Sequence, residues 1–161
     1  MTIKVGDRLP DVTFAMVTEA GPEPRSTADL FAGKKVVLFG VPGAFTPTCH
    51  KNHLPGYLTQ ADALKAKGVD TVAVTAVNDP FVMKAWAEAT GGMGKITFLS
   101  DGSAVFAKAV GLDLDLTARG LGMRNQRFSM IIDNGVVSAL NIEEAPGTVD
   151  KTGAETILKQ L

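Results

Sequence analysis

Apolar positions along this chain fall into runs of two kinds. Unbroken runs of strand length, rich in β-branched residues, occur at "KKVVLFGV" (34–41) and "VDTVAVTAV" (69–77). Such runs predict strands buried on both faces. "VTFAMV" (12–17) predicts a first strand and "KITFLSD" (95–101) a shorter one. Helical segments lie between them. "TADLFAG" (27–33) predicts a short helix ended by Gly33, and "SAVFAKAVG" (103–111) another closed by Gly111. "NDPFVMKAWAEAT" (78–90) opens with Asp79 as N-cap and Pro80 at the first helical position. A helix is also expected from Pro47 to about Lys67, kinked or split by Pro55. "RFSMIIDNGVVSALNI" (127–142) is two β-rich runs around Asn134-Gly135, the pair that suits a type I′ hairpin turn. A last helix is expected over Thr152–Gln160.

The order is therefore β-α-β-α-β-α-β-β-α. Its alternating first half predicts parallel neighbours joined by right-handed crossovers. The final hairpin must be antiparallel. A mixed central β-sheet flanked by helices follows, an α/β fold of thioredoxin-like arrangement, as one domain over 1–161. Chemistry in such sheets gathers at the carboxyl edge of the parallel strands.

Composition changes this picture little. Hydrophobic residues are 45% and charged residues 20% of 161, with net charge −1 and no block of one sign. Nothing here argues for nucleic acid or a membrane surface as partner. No apolar run approaches the ~18 residues that span a bilayer. "MTIKVGDRLPDVTF" carries neither an apolar leader nor an Arg-rich amphipathic one. A single cysteine makes no intramolecular disulfide, so the expectation is a reducing cytoplasm.

That cysteine lies in "VPGAFTPTCH" (41–50), just past a central strand. With Thr46 as N-cap, Pro47, Thr48 and Cys49 are N1, N2 and N3, and the Thr46 hydroxyl is expected to accept from the Cys49 N–H. A thiol in a first helical turn, near free N–H groups and the positive end of the helix dipole, is in a setting that favours thiolate. A lone cysteine can equally be a small buried hydrophobe. Other chemistries need partners the chain lacks. A dithiol oxidoreductase needs Cys-x-x-Cys, and Thr46 holds the first position. Haem attachment needs C-x-x-C-H. Zinc needs more ligands than Cys49, His50 and His53. A Cys–His hydrolase needs a histidine against the thiol, whereas His50 and His53 read as an exposed polar face.

"PGAFTPTCHKNHLPGY" resembles the peroxidatic loop of the peroxiredoxins, with the P-x-x-x-T-x-x-C pattern at Pro42, Thr46 and Cys49. "GVDTVAVTAVNDPFVMKAWAEATG", "FLSDGSAVFAKAVGL" and "GLGMRNQRFSMIIDNGVVSALNIEE" extend the likeness, in order, over nearly the whole chain. It is similar to the peroxiredoxin 5 group, which includes the plant type II enzymes. The resemblance implies a thioredoxin-like enzyme that reduces hydrogen peroxide and alkyl hydroperoxides, with no cofactor or metal. It implies Cys49 as peroxidatic cysteine, with Thr46, Pro42 and Arg127, and a homodimer formed near the active-site edge. Phe45, Phe81 and the Pro80 helix start are the apolar candidates there.

Topology supports Arg127 independently. It starts an antiparallel strand, and such a start shares an edge with the end of a parallel one. Arg124, in the preceding loop, is read as structural or solvated. Pro42 and Phe45 are expected to keep water from the pocket.

Ionising a thiol does little by itself. The gain in thiolate is offset by lost nucleophilicity, with β about 0.4–0.5, leaving a few fold. A fast peroxidase must therefore act on the peroxide, with Arg127 donating to the leaving oxygen and the Thr46 hydroxyl and first-turn N–H groups orienting the peroxide. The product, a sulfenic acid, needs a second thiol. Animal-type members carry a resolving cysteine where Lys151 stands, and plant type II members often carry one where Val74 stands. The reductant must then be external: glutathione with glutaredoxin first, thioredoxin second. Two other readings share the residues, a peroxide-sensing redox relay or holdase, and a binding-only thioredoxin-like domain. The complete Pro42, Thr46, Cys49, Arg127 set counts against the last.

Overall fold

The computed structural model describes residues 1–161 throughout. A seven-stranded mixed sheet forms its centre, in the order β2-β1-β5-β4-β3-β8-β9. The strands are β1 (Thr13–Thr18), β2 (Gly21–Ser26), β3 (Lys35–Gly40), β4 (Thr71–Ala76), β5 (Thr97–Ser100), β8 (Phe128–Asp133) and β9 (Val136–Ile142). A separate two-stranded ribbon pairs β6 (Asp113–Leu116) with β7 (Gly122–Asn125). The helices are α1 (Thr27–Phe31), α2 (Leu54–Ala66), α3 (Pro80–Thr90), α4 (Val105–Ala109) and α5 (Ala154–Gln160).

The apolar run of β3 is buried on both faces because alternate side chains feed two cores. Val37 and Phe39 join a cluster of 20 buried residues that includes Leu54, Tyr57 and Leu64 of α2, Met83 and Trp86 of α3, and Ile157 of α5. Val36 and Leu38 join a second cluster of 15, with Phe31 of α1 and Phe106 of α4. Each such side chain contributes about 1.5–3 kcal/mol on burial. Helices therefore lie on both faces, as expected. Gly40 is required by its neighbour across the β3–β8 register, since a Cβ there would collide with the Phe128 ring.

The Asp79 cap and the Asn134-Gly135 turn form as their local chemistry predicts. Asp79 Oδ1 accepts from the N–H groups of Phe81 (2.8 Å) and Val82 (2.9 Å). Asn134 and Gly135 both have positive φ, 49° and 79°, as a type I′ turn needs. β3, β4 and β5 are parallel neighbours, and β8–β9 is antiparallel.

Four features of the fold differ from the sequence reading or were absent from it. β1 is not a parallel neighbour of β3; it runs antiparallel to β5, because the β1–β2 hairpin turns the chain back before α1. β2 itself ("GPEPRS") was not expected, since it carries Pro22 and Pro24. It is an edge strand, where a missing N–H faces outward at no cost. The β6–β7 ribbon was also not expected; its strands have four residues each and no apolar run. Finally, the irregularity expected at Pro55 is a change of helix type, from π to α, and not a gap in the helix. Residues Cys49–His53 form a wide π turn leading directly into α2, with the Leu54 N–H donating to Cys49 O. That i→i−5 spacing absorbs a proline that lacks its own donor.

Candidate active site

The register that pairs Gly40 with Phe128 brings the end of β3 and the start of β8 to one edge of the sheet. Arg127, just before β8, therefore meets the loop after β3. Its Nη2 donates to Cys49 Sγ at 3.1 Å. Both residues are buried, Cys49 at 0% and Arg127 at 2% exposure.

The guanidinium is held on all sides. Nε and Nη2 both donate to Pro146 O, at 3.0 and 2.7 Å. Nη1 lies 2.9 Å from His53 Nδ1. His53 Nε2 lies 2.9 Å from Thr152 O, which can only accept. Nε2 therefore carries the ring proton and Nδ1 accepts from Arg127. Burial first, and the Arg127 charge second, lower the His53 pKa to about 3, so this histidine is neutral at physiological pH. Four of the five guanidinium N–H groups are thus engaged, and one on Nη1 is spare.

Buried guanidinium groups are ordinarily paired with carboxylates. Arg127 has none within 4.0 Å; the three ion pairs, Lys4–Asp7, Arg25–Glu23 and Lys151–Glu144, all lie at the surface. Its partners are a backbone carbonyl, a neutral imidazole and a sulfur. The sulfur is the one group among them able to carry negative charge. A fixed positive charge against a buried sulfur, with one donor free, suits an anion forming beside that sulfur.

The loop from Pro42 to Cys49 is braced from three elements. Arg124 Nη1 donates to Pro42 O (3.2 Å), so Arg124 supports the loop, as its structural reading had it. Asn78 Oδ1 accepts from the Ala44 N–H (2.9 Å), and Thr48 Oγ1 donates to Gly147 O (3.0 Å). Pro42 and Ala44 are buried.

Thr46 caps the helix differently from the expectation. Its carbonyl accepts from the His50 N–H at 2.9 Å, so the helix does begin there. Its hydroxyl, however, does not take the Cys49 N–H; it donates to Gly43 O at 2.7 Å. With its hydrogen so used, the Thr46 oxygen presents only lone pairs elsewhere.

The two histidines are not an exposed polar face. His53 is buried with Phe39 and Tyr57 around it. His50 Nδ1 accepts from Trp86 Nε1 at 3.0 Å, and its ring stacks on Phe45 at 5.6 Å. Cys49 and His53 lie four residues apart and both meet Arg127. That the shared target is Arg127 came only with the fold. Phe45, expected to cover the pocket, has φ 63° and is 46% exposed. Its ring lies on His50 and outward. Asn78, Glu143, Pro146 and Thr152 were not singled out in the sequence. A carbonyl leaves no sequence signature, and their roles are mostly carbonyl or brace roles.

No group of three or more His, Cys, Asp or Glu side chains is arranged to hold a metal ion, and no helix is long and apolar enough to cross a membrane.

Comparison with known proteins agrees with this geometry. The Redoxin family model matches residues 4–158. Peroxiredoxin-2C of Oryza sativa subsp. japonica is 51% identical over 99% of this chain and 98% of its own length. Peroxiredoxin-2D of Arabidopsis thaliana is 45% identical with the same coverages. Among solved structures, reduced Prx3 of Vibrio vulnificus in complex with hydrogen peroxide superposes with a TM-score of 0.93 at 53% identity, over 99% of both chains. Peroxiredoxin 5 of Alvinella pompejana does so with a TM-score of 0.86 at 35% identity, over 98% of this chain and 96% of that one. A lone thiol held against a guanidinium at a sheet edge, in a chain with these relatives, belongs to the redoxin family, and within it to the peroxiredoxins, the thiol peroxidases.

Proposed function

We propose that this chain reduces hydrogen peroxide and alkyl hydroperoxides at Cys49 and is returned to its thiol form by an external thiol. The observation that carries this reading is Arg127 Nη2 at 3.1 Å from Cys49 Sγ, both buried, with no carboxylate within 4.0 Å of the guanidinium. The Cys49 thiolate attacks one peroxide oxygen. The new S–O bond forms as the O–O bond breaks, and its electron pair goes to the other oxygen. That oxygen leaves, after taking a proton, as water or an alcohol. Sulfur is oxidised to sulfenic acid, the peroxide reduced. The spare Nη1 donor of Arg127 meets the charge growing on the leaving oxygen, an effect worth about 3–4 kcal/mol for a donor of this kind. Thr46 Oγ1, whose hydrogen is on Gly43 O, accepts from the peroxide O–H and orients it. Pro42 walls the site.

One thiol then condenses with the sulfenic acid, releasing water and leaving a mixed disulfide. A second thiol exchanges Cys49 free. Val74 and Lys151 stand where relatives carry a resolving cysteine, so both thiols come from outside. We assign glutathione with glutaredoxin as the first choice of reductant and thioredoxin as the second. No resident cofactor is invoked. We place the chain in the cytoplasm, where such thiols are available, and cell fractionation tests it. Phe45 and Phe81, 46% and 71% exposed, suit a homodimer face at this edge. Sedimentation showing only monomer at micromolar concentration would remove that part.

Mass spectrometry of Cys49 tests the core reading. One equivalent of peroxide should add one oxygen to Cys49. Glutathione should convert that to a glutathione adduct, and glutaredoxin should clear it with continued turnover. A relay protein would stop after one equivalent. An unmodified Cys49 under peroxide refutes the reading. Thr46→Val removes the oxygen that orients the peroxide and is expected to slow Cys49 oxidation by on the order of a hundredfold. Thr46→Ser should restore most of the rate; valine matching threonine would show that the hydroxyl has no role.

A further inference from the structure

We propose that Glu143 is a positioning residue for the reaction at Cys49, closing residues 143–152 into the clasp that aims Arg127 and His53. The proposal rests on the reading of Cys49 and Arg127 given above.

Glu143 follows β9 and is 6% exposed. Its Oε2 accepts from three successive backbone N–H groups, Asp150 (3.0 Å), Lys151 (2.7 Å) and Thr152 (2.8 Å), and from Thr152 Oγ1 (2.8 Å). Successive N–H groups converging on one point form a nest for negative charge, and here the anion is supplied from within the chain. The Glu143 N–H in turn donates to Arg127 O at 2.9 Å, so the clasp begins on the residue beside the reacting arginine.

Three carbonyls of this one loop reach into the site. Pro146 O takes Nε and Nη2 of Arg127. Gly147 O takes the Thr48 hydroxyl at the helix start, next to Cys49. Thr152 O takes His53 Nε2 and the Tyr57 hydroxyl (2.7 Å), and so sets the tautomer that lets His53 Nδ1 accept from Arg127. Between Glu143 and Thr152 no residue is buried. Apolar packing therefore does not fix the loop; the carboxylate does. Without it three N–H groups turn to water, and Pro146 O and Thr152 O lose their places. Misplacement by about 1 Å costs a reaction on the order of a hundredfold.

The test sets two reactions of Cys49 against each other in the reduced full-length chain. Oxidation by hydrogen peroxide needs Arg127 aimed at the leaving oxygen. Alkylation by iodoacetamide does not. Glu143→Ala is expected to slow oxidation about ten- to a hundredfold, while alkylation is unchanged or faster because the loosened loop uncovers the sulfur. Glu143→Gln keeps one acceptor oxygen and loses the charge; it should show an intermediate loss and carries the test where the alanine variant does not fold. Exchange of the His53 Nε2 proton with solvent, followed by NMR, should quicken in both variants. Oxidation at the parent rate, or both reactions slowed by the same factor, overturns the proposal. Should the parent itself fail to oxidise at Cys49, the peroxidase reading falls. The His53 exchange rate would still show whether Glu143 holds the loop.

Discussion

Cys49→Ser is expected to abolish peroxide consumption and leave the fold intact. Every step of the proposed chemistry runs through this sulfur, and serine offers no accessible anion near neutral pH. Structurally the change is small. Cys49 is the single cysteine, so no disulfide is lost. The hydroxyl can still accept from Arg127 Nη2, so the buried guanidinium keeps its set of partners. Peroxide consumption with glutathione and glutaredoxin should fall to the no-enzyme background, while the circular dichroism spectrum and melting curve stay close to the parent's. Turnover persisting in the serine variant would move the reaction away from Cys49 and end the assignment.

The second large effect is expected at Arg127, and it separates two roles for its charge. Arg127→Lys keeps the charge and loses the planar fork. A single ammonium cannot reach Pro146 O, His53 Nδ1 and Cys49 Sγ together with a donor to spare. Arg127→Ala also strands two buried acceptors, at about 1–3 kcal/mol each, which makes lysine the cleaner probe. If the arginine serves only to ionise the thiol, both variants regain the parent rate at about pH 9, where an ordinary thiol is mostly thiolate. Ionisation accounts for only a few fold, however. Stabilising the leaving oxygen is the larger effect, so both variants should remain about a hundred- to a thousandfold slow at that pH. His53 does not confuse the profile. Its pKa of about 3 keeps it neutral from pH 5 to 9, and burial, the larger cause, persists in both variants. The measurement is the second-order rate of Cys49 oxidation across that range, alongside thiolate absorbance. A parent-like rate for Arg127→Ala at the alkaline end would leave Arg127 as an electrostatic neighbour only.

Local chemistry explains which parts of this protein could be read in advance. The β3 and β4 runs, the Asp79–Pro80 helix start and the Asn134-Gly135 turn each depend on residues close in sequence. Local propensity and patterning therefore determined them. The edge shared by Cys49 and Arg127 also followed, because strand direction alone decides which ends meet. β2 escaped for the converse reason. Its two prolines forbid a central strand, and only its position at the sheet edge permits one. The π turn at Cys49–His53 is similar, since Pro55 announces a broken ladder without stating how the backbone will accommodate it.

Residue order alone made legible the α/β architecture, the one cysteine, its place at a helix start and, through strand direction, an arginine at the same edge. Tertiary structure decided the site's electrostatics. Whether Arg127 has a carboxylate partner depends on which groups lie around it. The answer, a neutral His53 and the Pro146 carbonyl, brings together positions 74 and 19 residues away in the chain. The direction of the Thr46 hydroxyl, the outward ring of Phe45 and the grip of Glu143 on Thr152 were settled in the same way. Hydrogen-bond partners are chosen by distance and angle among whatever the fold brings near, and no periodicity in the sequence records that choice.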